Sequence, residues 1–90
     1  MRSIKALAAL VGQHVTIFCG NYIYTGELLE VTPRGATIKD AAIVYETGDF
    51  DAPEWKDAQK LNSNWSVSTS KIESFGILKK RFPAPIPVKK

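Results

Sequence analysis

The sequence predicts a mainly β fold, in which an N-terminal α-helix precedes five strongly bent antiparallel strands that curl into a small barrel. The first observation is an alternating apolar run, His14 to Cys19, that ends in the pair Gly20-Asn21. Both residues of this pair tolerate the positive φ that a two-residue hairpin turn requires. The second observation is that the apolar alternation changes phase inside each of the next two segments. A side-chain period of two changes phase only at a bulge or a bend, so both segments are predicted to be long, bent strands.

The helix is predicted over residues 3–12. Ser3 is a suitable cap, Gly12 is a suitable terminator, and four apolar residues between them recur at helical spacing. These residues are Ile4, Leu7, Ala8 and Val11. A signal peptide is a second interpretation of this segment, but the apolar run is short and continues into a strand without a polar break. No segment approaches the roughly 20 apolar residues of a membrane-spanning helix, so no membrane association is expected.

The phase changes indicate where the second and third strands bend. In the second strand the apolar set ends its first phase at Leu28 and continues one position out of phase at Leu29. In the third strand the apolar residues up to Ile38 share a face, and those from Ala41 onward are displaced by one. Gly26 lacks a Cβ, so its backbone can approach a neighbouring strand closely. Two long strands with such bends favour a small closed barrel over a flat sheet.

The acidic segment 46–64 is predicted to be a long loop between the third and fourth strands. It holds five of the nine acids, but their spacing lacks the regular ligands and the glycine of a calcium loop, so no metal site is predicted. Trp55 lies among these acids, and its negative neighbours favour contact with a protein partner over contact with nucleic acid. After the loop, Trp65 to Ser68 alternates as a strand, Thr69 to Lys71 forms a tight turn, and Ile72 to Phe75 resumes as the last strand.

Positive charge is concentrated at the C-terminus. Residues 79–90 hold five of the twelve basic side chains and none of the nine acids, which leaves seven basic and nine acidic groups in the first 78 residues. Three prolines at alternate positions remove amide donors there, so an extended, solvated tail is predicted. Such a tail is a solubilising terminus, a Pro-rich ligand for another protein, or an arm whose Lys79, Lys80 and Arg81 attract phosphates regardless of sequence.

Cysteine and histidine usage restricts the chemistry. The single Cys19 cannot form an internal disulfide, which favours a reducing compartment, and a cytoplasmic protein is therefore expected. His14 is the only histidine, so the sequence offers neither a paired nucleophile nor a zinc cluster. Glycine loops that cradle phosphates are also missing from the sequence. Neither an enzyme nor a bound cofactor is predicted.

Helix, bent strands and long loop together resemble the Sm-like RNA-binding family over residues 3–78. The matching motifs are Gly26-Glu27-Leu28, Lys39-Asp40-Ala41 and the segment from Val67 to Phe75. The resemblance implies a five-stranded SH3-like barrel of the Sm-like fold over residues 1–78, followed by the basic Pro-rich tail 79–90. It also implies that the last two strands pair with a neighbouring subunit to form a ring. Uridine-rich strands then contact the turn between strands two and three and the turn between the last two strands.

The chain departs from the family at those nucleotide contacts. Thr32 stands where the family usually has an acid, Gly35-Ala36 replaces its Met-Asn or aromatic-Asn pair, and Ser68-Thr69 aligns with its Arg-Gly. Alanine offers no amide to a base edge, and serine cannot stack on a base as a guanidinium does. The candidate RNA-binding residues are Thr32, Arg34, Gly35, Ser68, Thr69, Ser70 and Lys71, with Lys79, Lys80 and Arg81 as accessory phosphate contacts.

The leading hypothesis is a homo-oligomeric ring that binds RNA or single-stranded nucleic acid with weak base specificity. A 90-residue domain buries only about 60–65% of the surface of its unfolded chain, so association would stabilise it. Copies of Arg34 and Lys71 around a pore would attract phosphates regardless of sequence. The alternative is a ring-forming structural or adaptor protein that has lost nucleotide recognition and binds protein partners through the acidic loop or the Pro-rich tail.

Overall fold

The computed structural model describes residues 3–49 and 51–82. In this part of the chain one short helix precedes six antiparallel strands of a single open sheet, so the predicted mainly β class with an N-terminal helix is confirmed. Closure of the sheet into a barrel stays a prediction. The elements are α1 (Ser3–Ala8), β1 (His14–Cys19), β2 (Tyr22–Val31), β3 (Gly35–Glu46), β4 (Asp57–Lys60), β5 (Trp65–Ser68), a 3₁₀ turn (Thr69–Lys71) and β6 (Ser74–Gly76).

The helix is shorter than predicted because the chain leaves α-helical geometry after Ala8. The N–H of Leu10 donates to the carbonyl oxygen of Leu7 at 2.9 Å, and the N–H of Gly12 donates to that of Leu28 at 2.8 Å. Gly12 has φ +93°, a value that other residues rarely adopt, and it turns the chain into β1. No helix within the two described ranges is long and apolar enough to cross a membrane.

The strand order is β4-β3-β2-β1-β6, and β5 also pairs with β3. Both β4 and β5 lie on the outer edge of β3, where β4 pairs with its C-terminal part and β5 with its N-terminal part. Between them, the N–H of Leu61 donates to the carbonyl oxygen of Ala41 at 2.8 Å, and the N–H of Ala41 donates to that of Ser63 at 3.1 Å. The loop predicted over residues 46–64 therefore contains a strand, and the count of five strands is wrong. The physical reason is the length of β3, whose 12 residues expose more backbone groups than β5 alone satisfies.

Two bulges bend β2 and β3, as the phase changes predicted. Opposite Gly26, β3 inserts an extra residue at Asp40-Ala41, and Asp40 has φ +51°. Further along, β2 inserts an extra residue at Leu29. At the first bulge the two backbones meet so closely that a Cβ on Gly26 would lie 2.8 Å from the carbonyl oxygen of Lys39. The bend therefore depends on glycine at this position.

One face of the sheet carries the hydrophobic core. Leu7 of α1 is buried there against strand residues, so the helix covers this face. Tyr24 and Phe75 are partly buried and pack against the same cluster. The buried strand residues of this cluster are Val15, Ile17, Cys19, Leu28, Ala36, Ile38, Ala41 and Val67.

A second layer covers the opposite face. Strand register places Thr16 of β1 beside Thr25 of β2, and both are buried. The hydroxyl of Thr16 donates to the carbonyl oxygen of Leu78 at 2.6 Å, so the chain after β6 crosses this face. Trp55 belongs to this layer, because its backbone N–H donates at 2.9 Å to the carbonyl oxygen of Arg81 in the same C-terminal segment, residues 77–82. Trp55 is only 1% exposed, and the prediction that it contacts a protein partner is therefore wrong.

Substitution of Gly26 by alanine tests the close approach of β2 and β3. The added Cβ would meet the carbonyl oxygen of Lys39 at 2.8 Å, so one strand must shift. We expect Gly26→Ala to lower the free energy of unfolding, measured in urea, by about 2 kcal/mol or more. Gly76→Ala is the matched control, since a Cβ there meets no heavy atom within 4 Å. Equal stability of the two variants would contradict the bend.

Candidate nucleic-acid interface

The turn between β2 and β3, Thr32–Gly35, is held by the side chain of its first residue. The N–H of Thr32 donates to the carbonyl oxygen of Gly35 at 2.8 Å. Its Oγ1 accepts the N–H groups of Arg34 and Gly35 at 3.2 and 3.1 Å. Threonine suits this position because its hydroxyl supplies an acceptor for turn amides that lack a backbone partner. The hydroxyl of Thr32 is thus used within the turn, whereas the side chain of Arg34 is exposed.

The 3₁₀ turn Thr69–Lys71 lies directly against this first turn. Thr69 is buried, and its hydroxyl donates to the carbonyl oxygen of Pro33 at 2.6 Å. Its N–H donates to the carbonyl oxygen of Arg34 at 3.1 Å. The pairing of Gly35 with Ser68 continues the contact into the strands. Two turns that lie 36 residues apart in the sequence therefore form one unit, which we call the turn pair.

A cavity of about 400 Å³ opens beside the turn pair. Arg34 and Ser68 line it together with Glu30, Thr37 and Ser66, which the sequence did not single out. Glu30 and Thr37 are cross-strand partners beyond the bulge at Leu29 of β2, and the hydroxyls of Thr37 and Ser66 lie 3.3 Å apart. The phase change in β2 is the sequence signal for Glu30, because it decides which residues of the strand face this side.

Ser70 and Lys71 line a separate cavity of about 560 Å³ on the other side of β5. Its far wall is the β1–β2 hairpin, where the rings of Tyr22 and Tyr24 stack with centroids 6.3 Å apart. Three residues of β5 line both cavities, so this strand divides them. Within one subunit the structure therefore separates Lys71 from Arg34.

The three basic residues predicted as accessory phosphate contacts have different environments. Lys80 is only 6% exposed, its Nζ donates to the carbonyl oxygen of Asp49 at 2.6 Å, and the same atom lies 5.1 Å from the ring centroid of Trp55. The guanidinium of Arg81 is exposed and lies 3.9 Å from a carboxylate of the acidic segment. Lys79 is exposed. Lys80 is therefore an internal residue, and residues 83–90 of the predicted tail lie outside the described residues.

His14 lies on the sheet face opposite the core, where burial and neighbouring charges shift its pKa. Its Nε2 lies 2.9 Å from the hydroxyl of Thr25. Burial lowers the pKa of His14, the ammonium of Lys79 lowers it further, and the carboxylate of Glu27 opposes both effects. The imidazole is therefore neutral at pH 7. No group of three or more His, Cys, Asp or Glu residues in the described part of the chain is arranged to hold a metal ion.

The contact between the two turns brings together five of the seven predicted RNA-binding residues. The other two, Ser70 and Lys71, belong to the 3₁₀ turn but line the cavity on the other side of β5. The five are Thr32, Arg34, Gly35, Ser68 and Thr69. No protein-family model matches the chain, and no curated protein matches it in sequence. Neither comparison assigns a family.

Stability measurements on two adjacent lysines test the internal position of Lys80. Lys80→Ala removes a buried donor from the carbonyl of Asp49 and the cation above Trp55. We expect it to lower the free energy of unfolding by about 1–3 kcal/mol. Lys79→Ala is the matched control, and its effect should stay within about 0.5 kcal/mol because Lys79 is exposed. Equal losses would contradict the burial of Lys80.

The lowered pKa of His14 predicts a pH dependence of stability. Because the folded state favours the neutral imidazole, this contribution is complete above the unfolded pKa of 6.5 and is lost as the pH falls through the lower folded pKa. His14→Gln keeps a side-chain group that can bond Thr25 but does not titrate. Its free energy of unfolding should fall less than that of the wild type between about pH 7.5 and pH 5.5. Parallel pH profiles of the two proteins would contradict the assignment.

Proposed function

We propose that the chain is an Sm-like subunit that forms a homo-oligomeric ring and binds RNA or single-stranded nucleic acid with weak base specificity. The observation that carries this proposal is the turn pair. In the family that the sequence resembles, nucleotide contacts come from the turn between strands two and three and from the turn between the last two strands. In this chain the corresponding turns are joined by both hydrogen bonds of Thr69.

Two strand edges support ring assembly. Across residues 3–49 and 51–82, β5 pairs only with β3 and β6 pairs only with β1, so each leaves one edge outside the sheet. The edge of one copy can pair with an edge of the next, which satisfies backbone groups of both. Trp65 in β5 is 40% exposed and Ile77 after β6 is 58% exposed, which gives both edges apolar surface to bury. A head-to-tail contact of this kind closes into a ring when the rotation between copies allows it.

Weak base specificity follows from the way the turn pair uses its polar groups. The hydroxyl of Thr32 is engaged within its own turn, and the hydroxyls of Ser68 and Ser70 lie 2.9 Å apart and bond each other. Ala36 is buried and carries no amide. The exposed guanidinium of Arg34 therefore dominates, and it attracts phosphates of any sequence.

The adaptor alternative loses its strongest residue. The acidic loop is one of the two segments through which this alternative binds a protein, and its Trp55 is buried in the layer that covers the sheet. The remaining exposed groups of this loop include Lys56, whose Nζ lies 3.7 Å from a carboxylate oxygen of Glu46. A protein partner for the Pro-rich tail stays a prediction, because residues 83–90 lie outside the described residues.

A cytoplasmic location is part of the proposal. Cys19 is a free, buried cysteine, and a protein without disulfides fits a reducing compartment. Nucleic acids are available there as ligands for a ring with a cationic pore. The absence of enzymatic activity stays a prediction from the sequence.

Binding measurements across ionic strength test the proposed function. We expect labelled oligouridine, oligoadenine and mixed strands to bind with similar affinities that fall steeply as salt is added. Arg34→Ala combined with Lys71→Ala should weaken all three strands by a similar factor. The salt slope should fall by about 0.7 for each phosphate that the variant no longer neutralises.

The control replaces two exposed lysines elsewhere, Lys5→Ala combined with Lys56→Ala, and removes the same charge from outside the turn pair. Native mass measurement should give the same ring for all variants, since neither pair lies on the β5 or β6 strands. Undetectable binding by the wild type at low salt would reject the nucleic-acid function. Wild-type affinity in the Arg34 and Lys71 double variant would reject the site.

A further inference from the structure

A second concave surface lies on the sheet face opposite the core. Two neighbouring cavities of about 440 and 500 Å³ share four lining residues and form one cleft, which we call the lysine cleft. The shared residues are His14, Lys60, Lys79 and Phe82. None of the residues that line it belongs to the turn pair.

Strand register builds the floor of the lysine cleft. His14 of β1 opposes Glu27 of β2, and Glu27 opposes Lys39 of β3, which gives one cross-strand row. In the adjacent row, Ala42 of β3 opposes Lys60 of β4. Directly opposed residues share a face of a sheet, and the two rows are two residues apart along β2, so both rows face the same side. The lysines of β3 and β4 therefore converge on the side where the C-terminal segment brings Lys79.

The lysine cleft is cationic. Lys80 and Arg81 also line it, but they are engaged with the acidic segment through a hydrogen bond and an ion pair. Among the described residues no ion pair engages the other three lysines of the cleft, Lys39, Lys60 and Lys79. The Nζ of Lys60 lies 5.0 Å from the ring centroid of Phe82, which holds this ammonium at the wall of the cleft.

The cleft also contains hydrogen-bond acceptors in unusual backbone positions. In the described part of the chain, the non-glycine residues with positive φ are Asp40, at 51°, and Asn62, at 58°, and both line the cleft. Such backbone conformations cluster at ligand sites, although aspartate and asparagine adopt them more readily than other residues. With Glu27, these side chains place acceptors beside the lysines, where they can meet hydroxyl or amino donors.

We propose that the lysine cleft binds the phosphate group of a nucleotide, with Lys39, Lys60 and Lys79 as its cationic contacts. A terminal phosphate carries close to two negative charges and three acceptor oxygens. It can therefore bind several separate ammonium groups at once, which a carboxylate, with one charge and two oxygens, does less well. The neighbouring acceptors suit the donors of a sugar and a base. Cavities of 440 and 500 Å³ fall within the range of small-molecule sites. This inference goes beyond the proposed function, because it holds even for a subunit whose turn pair binds no RNA.

Titration of the protein with adenosine monophosphate, followed by NMR, tests the lysine cleft. His14 is the only histidine, so its imidazole signals report on the cleft without ambiguity. A bound phosphate stabilises the imidazolium, so we expect saturable shifts of these signals and a higher pKa of His14. Adenosine, which lacks the phosphate, should cause neither change. Absence of a saturable shift with adenosine monophosphate, or an equal shift with adenosine, would overturn the proposal.

Paired substitutions locate the binding. Lys60→Gln combined with Lys79→Gln should weaken adenosine monophosphate binding by about tenfold or more, since two of the three ammonium groups are removed. Lys39→Gln should weaken it as well, which provides a second variant from another strand. Lys5→Gln combined with Lys56→Gln is the control of equal charge and should bind as the wild type does. Unchanged affinity in the cleft variants would overturn the assignment.

Two further arms separate the cleft from the turn pair and identify the source of the phosphate. The Arg34→Ala and Lys71→Ala double variant should bind adenosine monophosphate as the wild type does, and a matching loss there would overturn a separate site. Displacement of adenosine monophosphate by oligouridine supports phosphates of a strand as the ligand. Retention of the mononucleotide at saturating oligouridine supports a free nucleotide.

Discussion

The fold depends on one close approach between two backbones, at Gly26 of β2 and the bulge Asp40-Ala41 of β3. A side chain at Gly26 would collide with the carbonyl of Lys39, so only glycine allows both strands to bend together there. Beyond the bend the strands run to the turn Thr32–Gly35, which reaches the 3₁₀ turn. The two cross-strand rows that form the floor of the lysine cleft flank the bend, with Glu27 and Lys39 on its turn side and Ala42 and Lys60 on its other side. Both candidate sites therefore lie on strands that this single bulge orients.

The second layer explains how so short a chain covers both faces of its sheet. Burying a tryptophan removes roughly 150–250 Å² from water, worth roughly 4–6 kcal/mol at 25 cal/mol per Å². Among the described residues the buried Nε1 of Trp55 has no hydrogen-bond partner, and a buried donor left unpaired costs about 1–3 kcal/mol. The free energy gained by burying the ring exceeds that cost, and the cation–π contact of the Lys80 ammonium with the ring stabilises the layer further. The acidic segment and the C-terminal segment are therefore structural parts of the domain.

Much of the fold was predictable because it is encoded in local patterns. β1 has the predicted bounds, its hairpin closes at Cys19 and Tyr22 around Gly20-Asn21, and the bulges lie where the alternation changes phase. The sequence does not reveal β4, because Asp57–Lys60 contains one apolar residue and becomes a strand only by pairing with the edge of β3. The sequence does not reveal the burial of Lys80 either, since lysine is ordinarily exposed and only the tertiary contact with Trp55 places it inside.

The candidate sites divide in the same way. The two turns of the turn pair could be located from the sequence, because the resemblance implies nucleotide contacts at two turns and each turn is a short, local segment. The lysine cleft was not predictable, since Lys39, Lys60 and Lys79 meet only through the register of four strands and the return of the C-terminal segment. The sequence pattern does not reveal β4, so it cannot predict which residues of β3 lie opposite this strand.

The most direct test of this account is the hydrogen bond that joins the two turns, from the N–H of Thr69 to the carbonyl of Arg34. Amide hydrogen exchange and scalar coupling across this bond can both be measured by NMR. The account predicts that the amide of Thr69 exchanges as slowly as those of the β1–β2 ladder and shows coupling to the carbonyl carbon of Arg34. Exchange at the rate of a free turn, with no such coupling, would contradict it.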